Sequence, residues 1–226
     1  SVSATDVDDS NFTFSLVSTA PAEVTFNADG SFSVDPQAAD QALDTGESRV
    51  VTFDYRASDG EANSNSATVT ITITGVNDAS TVSGSSGSTN EDAPFTGSVS
   101  ATDADDSTFT FSLVGTAPAG VTFNSDGSYS VAPQAADQAM DTGDSRVVTF
   151  DFRANDGEAD SNTATVTVTI DGVNDAPTVA HAIPNQVAAD STFFSFQLDE
   201  NTFHEIDAND VLSYSAQGLG GGALPR

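Results

Sequence analysis

The chain of 226 residues contains no cysteine and no tryptophan, and its only basic side chains are five arginines. The absence of cysteine excludes a disulfide scaffold, and with only His181 and His204 as nitrogen ligands a zinc site is not expected. The 34 acids give a formal net charge of −29. This charge argues against nucleic acids and anionic membranes as partners, because both attract basic surfaces. No apolar run approaches the roughly 18 residues of a membrane-spanning helix.

A long internal repeat is present instead. The segment SATDVDDSNFTFSLV at Ser3 returns as SATDADDSTFTFSLV at Ser100, and this offset of 97 residues holds without a gap through GVNDA. The period is too long for a solenoid unit of about 20–50 residues but long enough for a domain with its own core. We therefore predict three segments. Residues 1–78 form a first copy without a counterpart of STNEDAPFTG, residues 79–175 form a complete copy, and residues 176–226 are not a third copy.

The apolar residues alternate with period two. In ATVTVTI, Val166, Val168 and Ile170 alternate with threonines, and GVTFNSDGSYSV has the pattern of a hairpin with its turn at Asn124–Gly127. This alternation, with turn residues between the runs, predicts an all-β antiparallel sandwich. The stretch PQAADQAMDTGDS from Pro133 is the one candidate for a helical turn.

The acids lie mainly between the predicted strands. Sandwich loops gather at the two poles, where clustered carboxylates would repel one another unless a cation lies between them. Ca²⁺ fits such a cluster, because it takes 6–8 oxygen ligands in a flexible geometry. The alternative is turn formation and solvation, since Asp and Asn also bond their own backbone. We interpret Asp126 of NSDG as a turn residue, and Arg49 and Arg146 as partners of local acids.

Other motifs are excluded. An EF-hand is ruled out because Thr108 stands where glycine is required and Val114 where glutamate is required. No phosphate-binding GxxxxGK[ST] loop occurs, and no pattern brings Ser, His and an acid together as a triad. We therefore do not expect an enzyme.

Five motifs follow one another in a fixed order. They are NEDAPFTG at Asn90, ATDADD at Ala101, MDTGDS at Met140 (LDTGES at Leu43), FRANDG at Phe152 and DGVNDAP at Asp171. This order resembles the cadherin superfamily, most closely the bacterial cadherin-like and VCBS-type repeats of large RTX-type surface adhesins. The resemblance implies tandem Ig-like/cadherin-like Greek-key β-sandwiches arranged end to end, with Ca²⁺ at each junction between modules.

The resemblance also implies the ligands. For the first junction they are Asp44, Glu47, Asn77, Asp78, Asp103, Asp105 and Asp156. For the second they are Glu91, Asp141, Asp144, Asn174 and Asp175. The matching residues Asp6, Asp8 and Asp59 would face a preceding module. The sequence departs from the family pattern at Gly75 and Gly172, where cadherins have aspartate, so we expect one or two ions per junction rather than three.

The segment from Pro177 resembles a different relative, the dystroglycan-type cadherin-like (Ig-like) domain. The resemblance rests on Ile183-Pro184-Asn185-Gln186, on the Phe194-Ser195-Phe196 strand pattern, and on the segment from Asp207 to Ala216. About half of that domain is present. It implies Asp207 and Asp210 as further ligands of the second junction.

The function expected from these observations is that of a calcium-stiffened extender in a secreted or surface-anchored bacterial adhesin that supports cell adhesion or biofilm formation. Its partners would be neighbouring modules of the same polypeptide, in a monomeric rod, while other domains contact a host or abiotic surface. One alternative is a carbohydrate- or protein-binding module, although there is no tryptophan platform. Others are an accessory region of a secreted hydrolase and, more weakly, homophilic adhesion. The first copy should be less stable than the second or should borrow an edge strand.

Overall fold

The structure, a computed structural model, describes residues 1–190 and 192–216. It divides into two compact units. Unit 1 contains Ser1–Val82, Ala101–Thr110 and Ala154–Asn162, and unit 2 contains Ser83–Ser100, Phe111–Arg153 and the chain from Thr163 onward. Unit 1 therefore includes two loops of the second copy. The domain boundaries 1–78, 79–175 and 176–226 stay a prediction.

Strands and short turns make up the described chain. The strands are β1 (Thr13–Leu16), β2 (Val24–Phe26), β3 (Phe32–Val34), β4 (Ser48–Ser58), β5 (Ala67–Thr74), β6 (Thr81–Val82), β7 (Ser85–Asn90), β8 (Phe95–Ser98), β9 (Ala101–Thr102), β10 (Thr110–Val114), β11 (Val121–Phe123), β12 (Ser128–Val131), β13 (Ser145–Asn155), β14 (Ala164–Asp171), β15 (Thr178–Val179) and β16 (Phe203–His204). Two 3₁₀ turns, Ala38–Ala42 and Asp137–Ala139, are the helical elements among the described residues. The second lies in the stretch predicted to hold a helical turn.

Unit 1 is built on a three-stranded sheet in the order β1–β4–β5, with the hairpin β2–β3 and the short pair β6–β9. All of these pairs are antiparallel. Its core consists of Val24, Val51 and Phe53, which are at most 8% exposed. Phe26 and Phe32 pack edge-on against Phe53, with ring centroids 5.6 and 5.4 Å apart.

Unit 2 contains the sheet β10–β13–β14–β7 and the sheet β11–β12–β8. Strand β7 runs parallel to β14, with Ser85 opposite Val166 and Asn90 opposite Asp171. The hairpin β11–β12 forms as predicted. The inward positions expected from the alternation are buried: Val148, Phe150, Phe152, Val166, Val168 and Ile170. The predicted all-β class is thereby confirmed.

The two copies differ in how well their cores are covered. In unit 2, Val166, Val168 and Ile170 of β14 are fully buried. Their counterparts in β5 are only half-buried, and within residues 1–190 and 192–216 no strand pairs with the second edge of β5. Strand β7 covers that edge in unit 2.

We expect backbone amides of β5 to exchange with deuterium faster than those of β14, because edge strands with few buried contacts open at low free energy. Hydrogen exchange followed by mass spectrometry on the monomeric chain measures this difference. The central strands β4 and β13, both of 11 residues, provide the internal control and should differ less. Equal protection of β5 and β14 would contradict the expectation.

An ion pair between a partly exposed arginine and a buried aspartate joins each 3₁₀ turn to the long central strand that follows it. Arg146 donates to both carboxylate oxygens of Asp137 at 2.5 and 2.6 Å. Arg49 makes the same bonds to Asp40 at 2.5 and 2.8 Å and adds one to Glu23 at 2.7 Å. The interpretation of both arginines as partners of local acids is confirmed.

The segment after the second copy carries little regular structure where it is described. Strands β15 and β16 pair through Thr178 and His204 and through Val179 and Phe203. The Phe194–Phe196 pattern predicts a strand, but no strand forms there, and the two rings are 45% and 47% exposed. Because this stretch pairs with no other described segment, the alternation has no sheet against which to bury its rings. Residues 191 and 217–226 of the third predicted segment lie outside the described residues.

Candidate metal sites

A tight turn precedes each long central strand and holds the Gly-Val-Asn-Asp segment that ends the copy. In the first copy, the Asp44 carboxylate accepts the Thr45 N–H at 2.5 Å, and the Asp44 carbonyl accepts the Glu47 N–H at 2.9 Å. Two hydrogen bonds then attach the Gly-Val-Asn-Asp segment to this turn. Gly75 donates its N–H to the Glu47 carbonyl at 2.9 Å, and Asn77 donates its N–H to Thr45 Oγ1 at 3.3 Å. Asp141, Thr142, Asp144, Gly172 and Asn174 repeat these bonds in the second copy.

This packing explains the departure from the cadherin pattern at Gly75 and Gly172. A Cβ on Gly75 would collide with the backbone oxygens of Leu43 and Asp44, and one on Gly172 would collide with the backbone oxygen of Asp141. An aspartate has no room at either position while the turn keeps its place.

We expect Gly172→Ala to lower the free energy of unfolding by about 1–3 kcal/mol, the usual cost of forcing an extra carbon into a packed place. Val76→Ala, which follows the matching glycine of the first copy and changes a residue that is 76% exposed, is the control and should change stability little. Denaturant unfolding measures both. A Gly172→Ala variant as stable as the parent chain would show that the turn can move aside.

The loops that follow bring several predicted ligands together within unit 1. Asp105 donates its N–H to the Asp103 carboxylate at 3.2 Å and accepts the Asp78 N–H at 2.9 Å. Asp156 accepts the N–H groups of Glu158 and Ala159 on one carboxylate oxygen, at 2.8 and 2.7 Å.

The opposite oxygens of these side chains have no partner. Buried side-chain oxygens without a hydrogen bond occur on Asn77, Ser80, Asp103, Asp105 and Asp156. Buried polar atoms are normally satisfied, so buried acceptors without a partner on these loops point to a missing positive partner. We call these five residues, together with Asp78, whose N–H bonds Asp105, the first site.

Charge repulsion at the first site is visible in the pKa of a neighbour. Burial raises the pKa of Asp106, and the negative charges of Asp44, Asp105, Asp103 and Asp156 raise it further. The pKa of Asp156 itself is lowered, first by the N–H of Ala159 and then by other donors. The site therefore has excess negative charge that no basic side chain offsets in these interactions.

A second site lies within unit 2. Glu91, Asp175 and Asp207 place ligand atoms within 4.8 Å of one another. Glu91 is 2% exposed and Asp207 is 4% exposed. One oxygen of Glu91 accepts the Val173 N–H at 2.8 Å, one oxygen of Asp207 accepts the Asp175 N–H at 2.7 Å, and the other oxygen of each is buried without a partner.

The second site repeats the bond that defines the first. Asp175 bonds Asp207 in the way that Asp78, its counterpart 97 residues earlier, bonds Asp105. Asp207 also groups with Glu205 and Asp210 within 4.8 Å. The pKa of Asp175 and that of Asp210 are raised, each by burial and then by neighbouring carboxylates.

The remaining predicted ligands have other bonds. The Glu47 carboxylate accepts the Asp44 N–H at 3.3 Å within the turn of the first copy. The Asp144 carboxylate accepts the Asp141 N–H at 3.3 Å within the turn of the second copy. The side chain of Asn174 donates to the Asp175 carbonyl at 2.8 Å.

In the first copy, the Asp6 carboxylate accepts the Asp8 N–H at 3.2 Å, and the Asp59 carboxylate accepts the Glu61 and Ala62 N–H groups. These are the loop bonds of the first site without its buried unpartnered oxygens. Asp126 accepts the N–H and hydroxyl of Ser128, as a turn residue does.

Three residues at the sites were missed by sequence reasoning. Ser80 is 1% exposed, but serine is too common in this chain to stand out. Asp106 belongs to the TDADD run, in which the first two aspartates match the family motif. Glu205, whose carboxylate accepts the N–H groups of Ile206 and Asp207 at 2.8 and 3.2 Å, lies two residues before a predicted ligand, and that spacing was the available signal.

The chain belongs to the bacterial Ig domain family, whose model matches residues 1–72 and 77–169. No curated protein matches it. No helix within the described part of the chain is long and apolar enough to cross a membrane.

Several solved cadherin structures are similar to the chain. Human CDH23 EC21–23 is 16% identical with a TM-score of 0.47, over 72% of this chain and 63% of that one. Human mucin-like protocadherin EC1–2 is 13% identical with a TM-score of 0.45, over 72% and 84%. Mouse clustered PcdhgC3 EC1–3 is 19% identical with a TM-score of 0.40, over 73% of this chain and 56% of that one.

Proposed function

We propose that the chain is a calcium-stiffened extender, in which Ca²⁺ binds at the first and second sites. The observation that carries the proposal is the set of buried oxygens without hydrogen-bond partners. They occur on Asn77, Asp103, Asp105 and Asp156 at the first site and on Glu91 and Asp207 at the second. All six belong to ligands expected from the sequence.

The chemistry of the donors favours calcium over other divalent cations. Every donor is an oxygen, from a carboxylate, an amide or a hydroxyl, and Ca²⁺ accepts such mixed sets at 2.3–2.6 Å in flexible geometry. Mg²⁺ requires a closer octahedron and keeps several waters. Zinc prefers sulfur and nitrogen donors, and no cysteine occurs in the sequence.

The mechanical role follows from where the ligands lie along the chain. At the first site, Asn77 and Asp78 belong to the segment that ends the first copy, whereas Asp103, Asp105 and Asp156 belong to loops of the second copy. A cation held by both groups fixes the connecting segment to those loops. Without it, the carboxylates repel, and the linker regains the freedom that small polar interfaces normally allow.

The finer assignment rests on the sequence motifs. We infer a VCBS-type, cadherin-like module of an extracellular bacterial adhesin, followed by a dystroglycan-type segment that supplies Asp207 and Asp210. In this role the chain acts as a non-enzymatic spacer between neighbouring modules. No observation favours the carbohydrate-binding or hydrolase-accessory alternatives over it.

Calcium titration by isothermal calorimetry tests the proposal. We expect saturable calcium binding that magnesium reproduces only weakly, and we expect Asp103→Ala to remove the first-site component while the second-site component remains. Asp126→Ala, in a turn acid of the same copy, is the matched control and should bind calcium like the parent chain. The absence of saturable binding in the parent chain would refute the proposal.

Small-angle scattering tests the stiffening itself. We expect a larger maximum dimension and a narrower distribution of conformations in calcium than in chelator, because a bound cation removes linker motion. Profiles that coincide in calcium and chelator would show that the sites bind ions without stiffening the chain.

A further inference from the structure

We propose that Asn162 is a positioning residue of the first site. Through the backbone of Val82, it holds the segment of residues 77–82 against the loop of residues 154–162 before any cation binds. The inference rests on the proposed function and deepens it, because it gives the first site a geometry that is set without calcium and then raises its affinity for calcium.

The side-chain amide of Asn162 bonds both backbone groups of Val82. Its Oδ1 accepts the Val82 N–H at 3.0 Å, and its Nδ2 donates to the Val82 carbonyl at 3.0 Å. A side-chain amide carries an acceptor and a donor side by side, as a peptide group does. Asn162 therefore pairs with Val82 as a residue of a neighbouring strand would. We call these two residues the Asn162–Val82 pair.

The Asn162–Val82 pair occupies the edge of β6 that faces away from β9. Strand β6 pairs with β9 through Thr81 and Thr102 and through Val82 and Ala101. Successive residues of a strand direct their backbone groups to opposite edges, so Val82 faces Asn162 and leaves the bonds with β9 to Thr81. This two-residue strand is therefore held on both edges, by a strand on one side and by a single side chain on the other.

The same two segments meet a second time at the first site itself. The pKa of Asp156 is lowered first by an N–H of its own loop and then also by the Ser80 N–H and the Asn77 side chain. Both groups therefore lie beside the Asp156 carboxylate. Since Ser80 precedes Val82 by two residues, the segment that ends at Val82 is attached to one loop at two points, at the acidic ligand and at Asn162.

Hydrogen bonds within the loop connect its two attachment points. Ser161 donates its N–H to the Ala154 carbonyl at 2.9 Å, and its Oγ accepts the Ala154 N–H at 2.9 Å. The Ser161 hydroxyl also donates to the Asn162 carbonyl at 2.7 Å. The loop is closed by these bonds around Asp156, so a shift of the segment at Asn162 also shifts it relative to that ligand.

The Asn162–Val82 pair opposes the charge repulsion at the first site. Without a cation, the carboxylates there repel one another and favour separation of the segment from the loop. The bonds of the pair join uncharged groups, so neither a chelator nor salt removes them. Ligands that are already in place lose less conformational freedom when a cation binds, so the pair should raise the calcium affinity of the site.

Amide exchange followed by NMR tests the Asn162–Val82 pair directly. In the parent chain we expect the Val82 amide to be protected in chelator as well as in calcium, because its bond to Asn162 needs no cation. In Asn162→Ala it should exchange roughly two- to tenfold faster in chelator, the range that one net hydrogen bond provides, and regain protection in calcium. A Val82 amide that is unprotected in the parent chain in chelator would overturn the inference without any variant.

Calorimetric titration with calcium measures the effect on the first site, as the component of binding that Asp103→Ala removes. We expect Asn162→Ala to weaken this component about tenfold, the lower end of the loss typical for residues that support metal ligands. Asn65→Ala is the matched control. Asn65 has the same position in the first copy and donates to the Ser66 carbonyl at 3.2 Å, so this variant should bind calcium like the parent chain.

Urea unfolding separates positioning from a general structural role. In chelator, the segment of residues 77–82 can detach locally while the rest of unit 1 stays folded, whereas bound calcium requires it to be attached. Asn162→Ala should therefore lower the free energy of unfolding more in calcium than in chelator. Equal losses in the two conditions would mean that Asn162 stabilises the fold without positioning the ligands, and the inference would be overturned.

Failure of this inference is distinguishable from failure of the proposed function. If the parent chain shows no saturable calcium binding, the proposed function fails, and the predicted effect of Asn162 on affinity fails with it. If the parent chain binds calcium and Asn162→Ala binds it equally tightly at the first site, only the inference fails and the extender role stands.

Discussion

Asp207→Asn is expected to change the stability of the chain in opposite directions in calcium and in chelator. In calcium, at a hundredfold excess over the dissociation constant, a cation that binds only the folded state contributes about 2.7 kcal/mol. Asp207 is a proposed ligand that is 4% exposed and has an unpartnered oxygen, so removing its charge should eliminate most of that contribution.

In chelator the same substitution removes a repulsion. Asp207 lies within 4.8 Å of Glu91 and Asp175 on one side and of Glu205 and Asp210 on the other. An asparagine there can still accept the Asp175 N–H while it lowers the local negative charge. We therefore expect the variant to be as stable as the parent chain in chelator, or more stable.

Urea unfolding of unit 2 in calcium and in chelator measures the two expected changes in the free energy of unfolding. Asp126→Asn is the control, because that side chain bonds only its own turn in the contacts with Ser128, and it should behave alike in calcium and chelator. A loss of stability of equal size in both conditions would mean that Asp207 has a structural role and is not a cation ligand.

Arg146→Met is expected to destabilise unit 2 by about 1–3 kcal/mol, the range for leaving a buried polar group unsatisfied. The Asp137 side chain is 4% exposed and loses both of its bonds to the guanidinium. The Arg146 side chain is 34% exposed, so solvent screens the pair, and the loss should stay below that of a fully buried pair. Replacing Asp137 by leucine in the same background should restore part of the stability.

The Arg146–Asp137 pair makes the stability of unit 2 depend on pH. The bonds from Arg146 lower the pKa of Asp137 in the folded chain, and the Gln134 N–H adds to this. The unfolded chain therefore binds a proton at Asp137 more readily than the folded chain does. The contribution of the pair to folding stability is complete above the ordinary aspartate pKa, and it is lost as the pH falls through the lowered folded-state pKa. Unfolding measured in chelator from neutral to acid pH should show a smaller acid-dependent loss in Arg146→Met than in the parent chain. Equal acid sensitivity would contradict this assignment.

The sequence by itself determined the strand pattern and predicted most of the candidate ligands. Alternation of Val166, Val168 and Ile170 with threonine predicts a half-buried strand because successive side chains point to opposite faces, and all three are fully buried in the structure. The resemblance of the acidic motifs to known families pointed to six residues whose buried oxygens lack partners: Asn77, Glu91, Asp103, Asp105, Asp156 and Asp207.

Only the tertiary structure decided which acids come together. The sequence treated Glu47 and Asp144 as equal to Asp105, but the turns use their carboxylates internally. It gave no reason for Gly75, which close backbone packing against Asp44 supplies. It also missed Ser80, because burial and proximity across the fold, unlike periodicity, leave no mark on local sequence. The unequal coverage of β5 and β14 likewise depends on which strand lies beside each, and that neighbour is set by the fold.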